Sequence, residues 1–520
     1  MNIFQEFTQN RAKFQRRKDL TLEVRLWIAF VALMSNKWGT ITQLAAKFVI
    51  SRTFVYMLQA QLSEAAESCF GLHGVHSKTQ LMEAQKTKSL ECALMLRLEG
   101  KCSIPSISDI LKRMGLPNNS VGTISQELNK IGCYLPNTFY AGNGEILYVY
   151  LAVDELFSHS RPILISVDPI SSAILRIELS ESRKTEDWIN HFDKLREEGA
   201  QVILVVSDEG QGICSAKDMA IPDAPRQPDT FHAISHRLGK WVNSLEKSAY
   251  AAIDEEYKRE AVFWSAKTED VMQKRLESYL QAKSEAEQAI ILYQDYKFLY
   301  HCIIDNLQVF DGQGNPYNRI DAEENIRVAL DYMISLPIKK IKKDINTIYN
   351  LLDDLLGYLD TADQIFKNLR FKGMPEYMVK AFALAWQYQK NAAKAKQPKR
   401  RKYFADKEKE QLQTIGQILG DDFESIKTKV FNELDKIIQS SAIVENINSI
   451  VRSFLNTSRN RINQEILNLI MFYHNHRRYK AGKRKGKTPM ELLTGKKQDK
   501  DWLEMLLELT KKNSSIPLVA

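Results

Sequence analysis

The sequence predicts a multidomain α plus α/β protein, with one short block of strands standing between long helical segments. Three observations carry the prediction. The chain has 520 residues, more than one hydrophobic core ordinarily organises. Runs of Ile, Val and Leu with strand character fall between residues 146 and 207, whereas apolar side chains recur at helical spacing on either side. A composition of 44% hydrophobic and 26% charged residues is that of a chain folded along most of its length.

The first elements are helical. Residues 22–34 carry apolar side chains at helical spacing, Thr40-Ile41-Thr42-Gln43 reads as a capping box opening a second helix, and a third starts at Ser51 after a turn at Val49-Ile50. Residues 1–80 thus have the pattern of a helix-turn-helix domain whose third helix can enter a major groove, which makes Arg52, Thr53 and Tyr56 candidate DNA contacts beside an inward Val55 and Leu58. The same spacing also serves a plain three-helix packing unit. A second such module is expected over residues 85–138, with a middle helix at 107–114, a turn at 115–119 and a last helix at 120–131 that offers Thr123, Gln126 and Lys130.

At residue 146 the period changes. Residues 146–153, 163–167, 173–179 and 201–207 read as strands, with a helix at 185–198. The last of these is apolar on both faces, as a parallel, central strand would be. Residues 146–240 therefore form the first part of an α/β core. Helical patterns at 250–257, 269–289, 338–359 and 378–390 make residues 241–438 a helical insertion, interrupted by a basic link at 397–402. Helices at 444–455 and 461–474 place the second part of the core at 439–480. Thr488-Pro489-Met490-Glu491 starts one more helix within a basic C-terminal tail, 481–520.

The formal charge of +8 is mild, but residues 398–402 and 477–487 concentrate cations in a way that suits phosphate, Arg477, Arg478, Lys483, Arg484 and Lys485 among them. Either run alone also fits a solvated loop. Cys69, Cys92, Cys102, Cys133, Cys214 and Cys302 lack the close pairs of zinc or redox motifs and are expected to be reduced and structural. No glycine-rich nucleotide motif appears, so no nucleotide cofactor is expected. With no apolar stretch of membrane-spanning length, a cytoplasmic, nucleoid-associated protein is expected. Trp264 and Trp386 can stack on bases, yet burial is the commoner fate of such residues. His474-Asn475-His476 spells a nuclease signature but sits at a helix end in a basic tract, where phosphate contact is the expectation.

Asp154 is expected to end the first strand and Asp208 the later central one. Ligands gather at strand ends in open α/β sheets, and clustered carboxylates repel unless a cation such as Mg²⁺ offsets them. In isolation, a strand-end aspartate that caps the next turn is the commoner reading of each. Asp168 is read as such a turn residue, from strand order. Asp208 is better supported, because Asp208-Glu209-Gly210-Gln211-Gly212 allows close backbone approach.

The segments Leu151-Ala152-Val153-Asp154, Arg161 to Ser172 and Val205-Val206-Ser207-Asp208 resemble the start of DDE insertion-sequence transposases, which belong to the retroviral integrase superfamily. Asp229-Thr230-Phe231-His232 resembles the segment after the fifth strand in several of them, and Ser441 to Arg452 resembles their catalytic helix. Residues 472–479 and 487–492 are similar to their C-terminal ending. The resemblance implies an RNase H-like core, with Asp154, Asp208 and Glu445 as catalytic and metal-ligating residues for Mg²⁺ or Mn²⁺, two ions per site. It implies strand cleavage and strand transfer on double-stranded DNA (terminal repeats and target) by a homodimer or larger assembly. Glu445 is chosen over Glu433 and Glu465 by its flanking motif; on its helix face lie Asn448 and Arg452, the latter about 10 Å along the axis and within reach of phosphate. A domesticated DNA-binding regulator and a structure-specific nuclease remain alternatives. The gap between Asp208 and Glu445 is far longer than in compact integrases.

Overall fold

The computed structural model describes residues 19–35, 37–70, 74–142 and 144–514; the parts of the first module and the tail that fall at 1–18 and 515–520 lie outside them. The chain divides into two compact units, residues 1–127 and 128–520.

In the first unit, α1 (Leu22–Met34), α2 (Thr40–Lys47) and α3 (Arg52–Phe70) close around Ile28, Ala32, Leu44, Ile50, Val55 and Leu58. The expected capping box at Thr40 is corrected. Gly39, at φ 89°, is the N-cap of α2, and the Thr40 hydroxyl bonds back to Lys37 O at 2.9 Å. Ser51 does cap α3, accepting from Phe54 N at 3.0 Å. The second helical group is α4 (Gly74–Leu98), α5 (Ile104–Arg113) and α6 (Val121–Cys133), so its first helix starts well before residue 85. Gly115 and Asn118, at φ 67° and 55°, make the turn between α5 and α6.

The second unit is built on a sheet. β1 (Leu147–Ser158), β2 (Arg161–Val167) and β3 (Ile174–Leu179) form an antiparallel meander. After α7 (Thr185–Glu197) come β4 (Ala200–Ser207), α8 (Gln211–Ala220) and β5 (Arg226–Pro228), both strands parallel to β1. The order is β3-β2-β1-β4-β5. The central strand is therefore β1; β4 is interior but beside it. Trp188, Phe192 and Leu195 of α7 are fully buried.

A π-helical turn, Phe231–His236, runs into α9 (Arg237–Trp264), followed by α10 (Glu269–Asn306), α11 (Arg319–Ser335), α12 (Ile341–Leu355), α13 (Gly357–Phe371), α14 (Glu376–Lys394), α15 (Pro398–Leu419) and α16 (Phe423–Leu434). These share one apolar cluster running from Ala233 to Ile437. Two expectations here are corrected. The helix at 338–359 is two helices that break at Leu356, and the basic link at 397–402 is the first turn of α15. Pro398 starts that helix rather than interrupting one, because a first-turn residue needs no backbone donor.

α17 (Ala442–Thr457) and α18 (Gln464–His476) return to the sheet, and α19 (Pro489–Thr494) and α20 (Trp502–Ser514) follow. The expected tail is thus folded. Thr488 and Glu491 form a full capping box, and Trp502, buried, meets the Tyr473 ring at 4.9 Å. No described helix is long and apolar enough to cross a membrane.

Candidate active site

The site begins where β1 and β4 part. Their pairing ends at Ala152↔Val206, and Asp154 and Asp208 each lie two residues beyond that last pair. Neighbouring strands are about 4.8 Å apart, so the register carries Asp154 and the residue just past β4 to the same edge of the sheet, near enough for the Asp208 charge to act on Asp154. Asp154 is not the strand end that was expected. β2 continues to pair with β1 as far as Ser158↔Arg161, which leaves Asp154 mid-strand with its β4 side open. Asp208 leaves β4 into a tight loop, where Gly210 N donates to its Oδ1 at 2.9 Å. A Cβ at Gly212 would stand 2.6 Å from Arg183 O, so this glycine is required by close approach.

α17 forms the opposite wall. Asn448, fully buried, donates from Nδ2 to Asp154 Oδ2 at 2.6 Å, while Glu155 N donates to Oδ1 at 2.8 Å. Burial pushes the Asp154 carboxyl up to about 6, with Asp208 and Glu445 adding to the rise and the two hydrogen bonds opposing it. Glu445 is half exposed, one turn before Asn448, and its Oε1 lies 3.8 Å from His232 Nε2. The rivals lie elsewhere: Glu433 pairs with Lys436 at 2.8 Å, and Glu465 packs on Gly132.

One buried aspartate holds these walls together. Asp229 N donates to Ser207 O at 2.9 Å. Its Oδ1 accepts from Phe231 N and His232 N at 2.7 and 3.0 Å, and its Oδ2 accepts from Ser441 N and Oγ at 2.7 and 2.6 Å. Thr230 adds bonds from N and Oγ1 to Gln439 O at 3.0 and 2.7 Å. The end of β4, the π-helical turn carrying His232 and the start of α17 are thereby fixed to one another. Sequence reasoning singled out this segment but assigned it no role; an acid directly followed by Thr230 was the available signal.

The oxygen donors suit a hard divalent cation in kind, and Asn448 Oδ1 is buried without a hydrogen-bond partner. The carboxylates are not drawn onto one point, however. Among the described residues no three His, Cys, Asp or Glu side chains are gathered closely enough to hold a metal ion.

The expected DNA contacts fare unevenly. Arg52, Thr53 and Tyr56 are exposed on α3, as are Gln126 and Lys130 on α6, Arg452 on α17, and Lys485. Thr123 is half-buried with its hydroxyl on Ser120 Oγ at 2.8 Å. Asn448 is corrected from a DNA contact to a partner of Asp154. In the basic tract, Arg478 bonds Glu491 at 3.0 Å, Lys483 pairs with Asp435, and Arg484 binds Ser172 Oγ and Ile170 O. These three serve internal acceptors. Arg477 lies over the Tyr473 ring at 5.5 Å. The phosphate role expected for His474-Asn475-His476 is also corrected. His474 Nε2 meets Ser172 O at 2.8 Å, and burial pushes its pKa down to about 4. Asn475 brackets the backbone of Ile174 at 2.8 Å on both sides. Trp386 is buried, but Trp264 is 67% exposed, against expectation.

Residues 144–302 match the family model described as Transposase, Mutator family. That span contains Asp154 and Asp208 and stops short of Glu445. No curated protein matches the chain. Among solved structures, the Drosophila P element transposase strand transfer complex overlaps 67% of this chain and 97% of its own, at 14% identity and a TM-score of 0.29. An overlap this loose defines no common fold.

Proposed function

We propose that this chain is a DDE-type DNA transposase that cleaves and joins DNA strands at Asp154, Asp208 and Glu445. One observation carries the proposal: two aspartates at equal offsets beyond the last β1–β4 pair, with a buried α17 asparagine clamped onto the first. The Mutator-family match over residues 144–302 supports it, as does a strand order with carboxylates on β1, after β4 and on a later helix, where the resemblance puts them.

Mg²⁺ or Mn²⁺, two ions per site, would supply the positive charge that lets the acids ionise together and would activate water, then a 3′ hydroxyl, for in-line attack on phosphorus. Asp154 and Asp208 would hold the ions from the sheet and Glu445 from α17. Asn448 would hold the Asp154 carboxylate through its Nδ2–Oδ2 bond, and His232, 3.8 Å from Glu445, would help to position that carboxylate. Exposed Arg452, two turns further along α17, can bind phosphate. The α3 and α6 faces would read the element's ends in double-stranded DNA, and the same site would serve cleavage and joining.

The test is strand cleavage and strand joining of the element's terminal-repeat DNA by the full chain in Mg²⁺. Asp154→Asn and Asp208→Asn should each abolish both, by 10³-fold or more on the order expected for groups that act only at the transition state. Persistent cleavage by either variant removes the site assignment, and cleavage without joining in the wild type makes the chain a nuclease.

A further inference from the structure

Each aspartate of the centre is followed directly by a glutamate that holds an arginine: Glu155 pairs with Arg183 and Glu209 with Arg237. The two arginines differ in what they have left to offer. Arg237 gives both Nε and Nη2 to the Glu209 carboxylate, and its side chain is 28% exposed. Arg183 gives Glu155 only Nη1, and its side chain is 63% exposed. Among the described residues Nε and Nη2 of Arg183 have no acceptor. That leaves open the side-on fork of the guanidinium, the geometry that binds two phosphate oxygens at once.

The place of this fork follows from strand alternation. Glu155 and Phe157, whose ring lies 5.7 Å from the Arg183 guanidinium, alternate along β1 with Asp154. They therefore occupy the sheet face opposite the one where Asp154 meets Asn448 of α17. The loop that carries Arg183 packs on the Asp208 loop, with Gly212 against Arg183 O, and the Arg183 charge lies within electrostatic range of Asp208. Of the neighbouring charges, Glu181 is paired with Arg161 at 2.6 Å, Asp187 takes the Ser182 hydroxyl, and exposed Lys184 and Glu186 offset each other. An exposed ion pair contributes little to stability, so the Glu155 contact fixes where the guanidinium stands more than it strengthens the fold.

We propose that Arg183 binds the phosphodiester adjoining the scissile one, on the side of the centre away from α17, and that Glu155 holds the guanidinium in place for it. A planar, open, cationic fork selects an anion with two oxygens to accept from it, and at a centre that acts on DNA strands that anion is the backbone. Arg452, exposed on α17, stands across the sheet, so a strand crossing the carboxylates meets a cation on either side of them. Arg183 then sets the strand's register over the centre without reading its sequence. The inference rests on the reading of Asp154, Asp208 and Glu445 as the catalytic centre.

The test is cleavage by the full chain in Mg²⁺ of terminal-repeat duplexes that carry a neutral methylphosphonate at one phosphate adjoining the scissile one. In the wild type, one of the two adjoining positions should lower kcat/KM roughly tenfold, as loss of a charge-assisted hydrogen bond does. Arg183→Ala should lower kcat/KM on unmodified DNA by a similar factor and lose nothing further to the methylphosphonate. The salt dependence of its DNA binding should become shallower by about one counterion; Arg183→Lys should restore that slope while recovering only part of the rate. A misfolded variant would slow on every duplex and keep the methylphosphonate penalty. Losses that add in full, or a salt slope unchanged in Arg183→Ala, overturn the inference. Asp208→Asn tells its failure from that of the catalytic reading: if that variant still cleaves, the reading falls and the inference with it, whereas an inert Asp208→Asn with additive losses sinks the inference alone.

Discussion

At the scale of single residues, Asp154 is the most informative group. Its carboxyl is raised to about 6 against an ordinary value of 3.8, so the native state favours the neutral acid. Stability from this group is fully present below pH 4 and is lost as pH rises through 6. Asp154→Asn should therefore raise the metal-free melting temperature at pH 8, by roughly 1–3 kcal/mol in stability, while abolishing catalysis; thermal denaturation of both proteins in EDTA checks it. A divalent cation competes with that proton, so the apparent Mg²⁺ affinity should fall as pH drops below 6. Asn448→Ala should lower cleavage by about 10–100-fold, as loss of a ligand's positioning partner does, with an upward shift in the acidic limb of the pH–rate profile because a bond that lowers the Asp154 pKa is gone. An unchanged profile would mean Asn448 serves only packing. The places of Asp154 on β1 and Asp208 just past β4 were legible in the sequence because each follows an apolar run. The Asn448 contact was not, since it joins positions 294 apart and periodicity carries only local information.

At the scale of elements, buried polar groups stitch the sheet to its helices. Asp229→Ala would strip the Ser441, Phe231 and His232 amides of their shared acceptor, a loss of about 2–4 kcal/mol for a buried charged acceptor. It should also raise mobility in α17, read as faster amide exchange at residues 441–448. Unchanged exchange there would show that α17 is placed by packing alone. On the sheet's other side His191, wholly buried, meets Ser166 Oγ at 2.9 Å and Glu178 at 3.3 Å. Burial pushes His191 down to about 4, as it does His474. Both are neutral in the native state, so stability holds above pH 6.5 and is lost as pH falls through that value toward 4. A melting temperature that drops between pH 6.5 and 5, and drops less in His191→Gln, is the expected result. Strand positions were readable here because short, continuous runs of Ile, Val and Leu have strand length and are bounded by turn residues. The basic run at 397–402 misled because a cation-rich stretch reads as a link although it opens α15, and the basic run at 477–487 misled because composition does not reveal Arg484's internal acceptors on the β2–β3 turn.

At the scale of the whole molecule, the sheet and the returning helices α17 and α18 form one body although the insertion separates them in sequence. That order of strands, insertion and helix was readable from the change of period at residue 146 and the loss of strand signals after 230. The work of the insertion was not, because nothing local in its helices marks a function. The central claim is that Asp154, Asp208 and Glu445 form one centre across that gap. Its most direct measurement is Mn²⁺ binding to the full chain by electron paramagnetic resonance, in the wild type and in Asp154→Asn, Asp208→Asn and Glu445→Gln. The account predicts saturable binding at pH 8 that each of the three substitutions weakens at least tenfold, with Glu433→Gln leaving it intact. Binding that survives Glu445→Gln unchanged would contradict it.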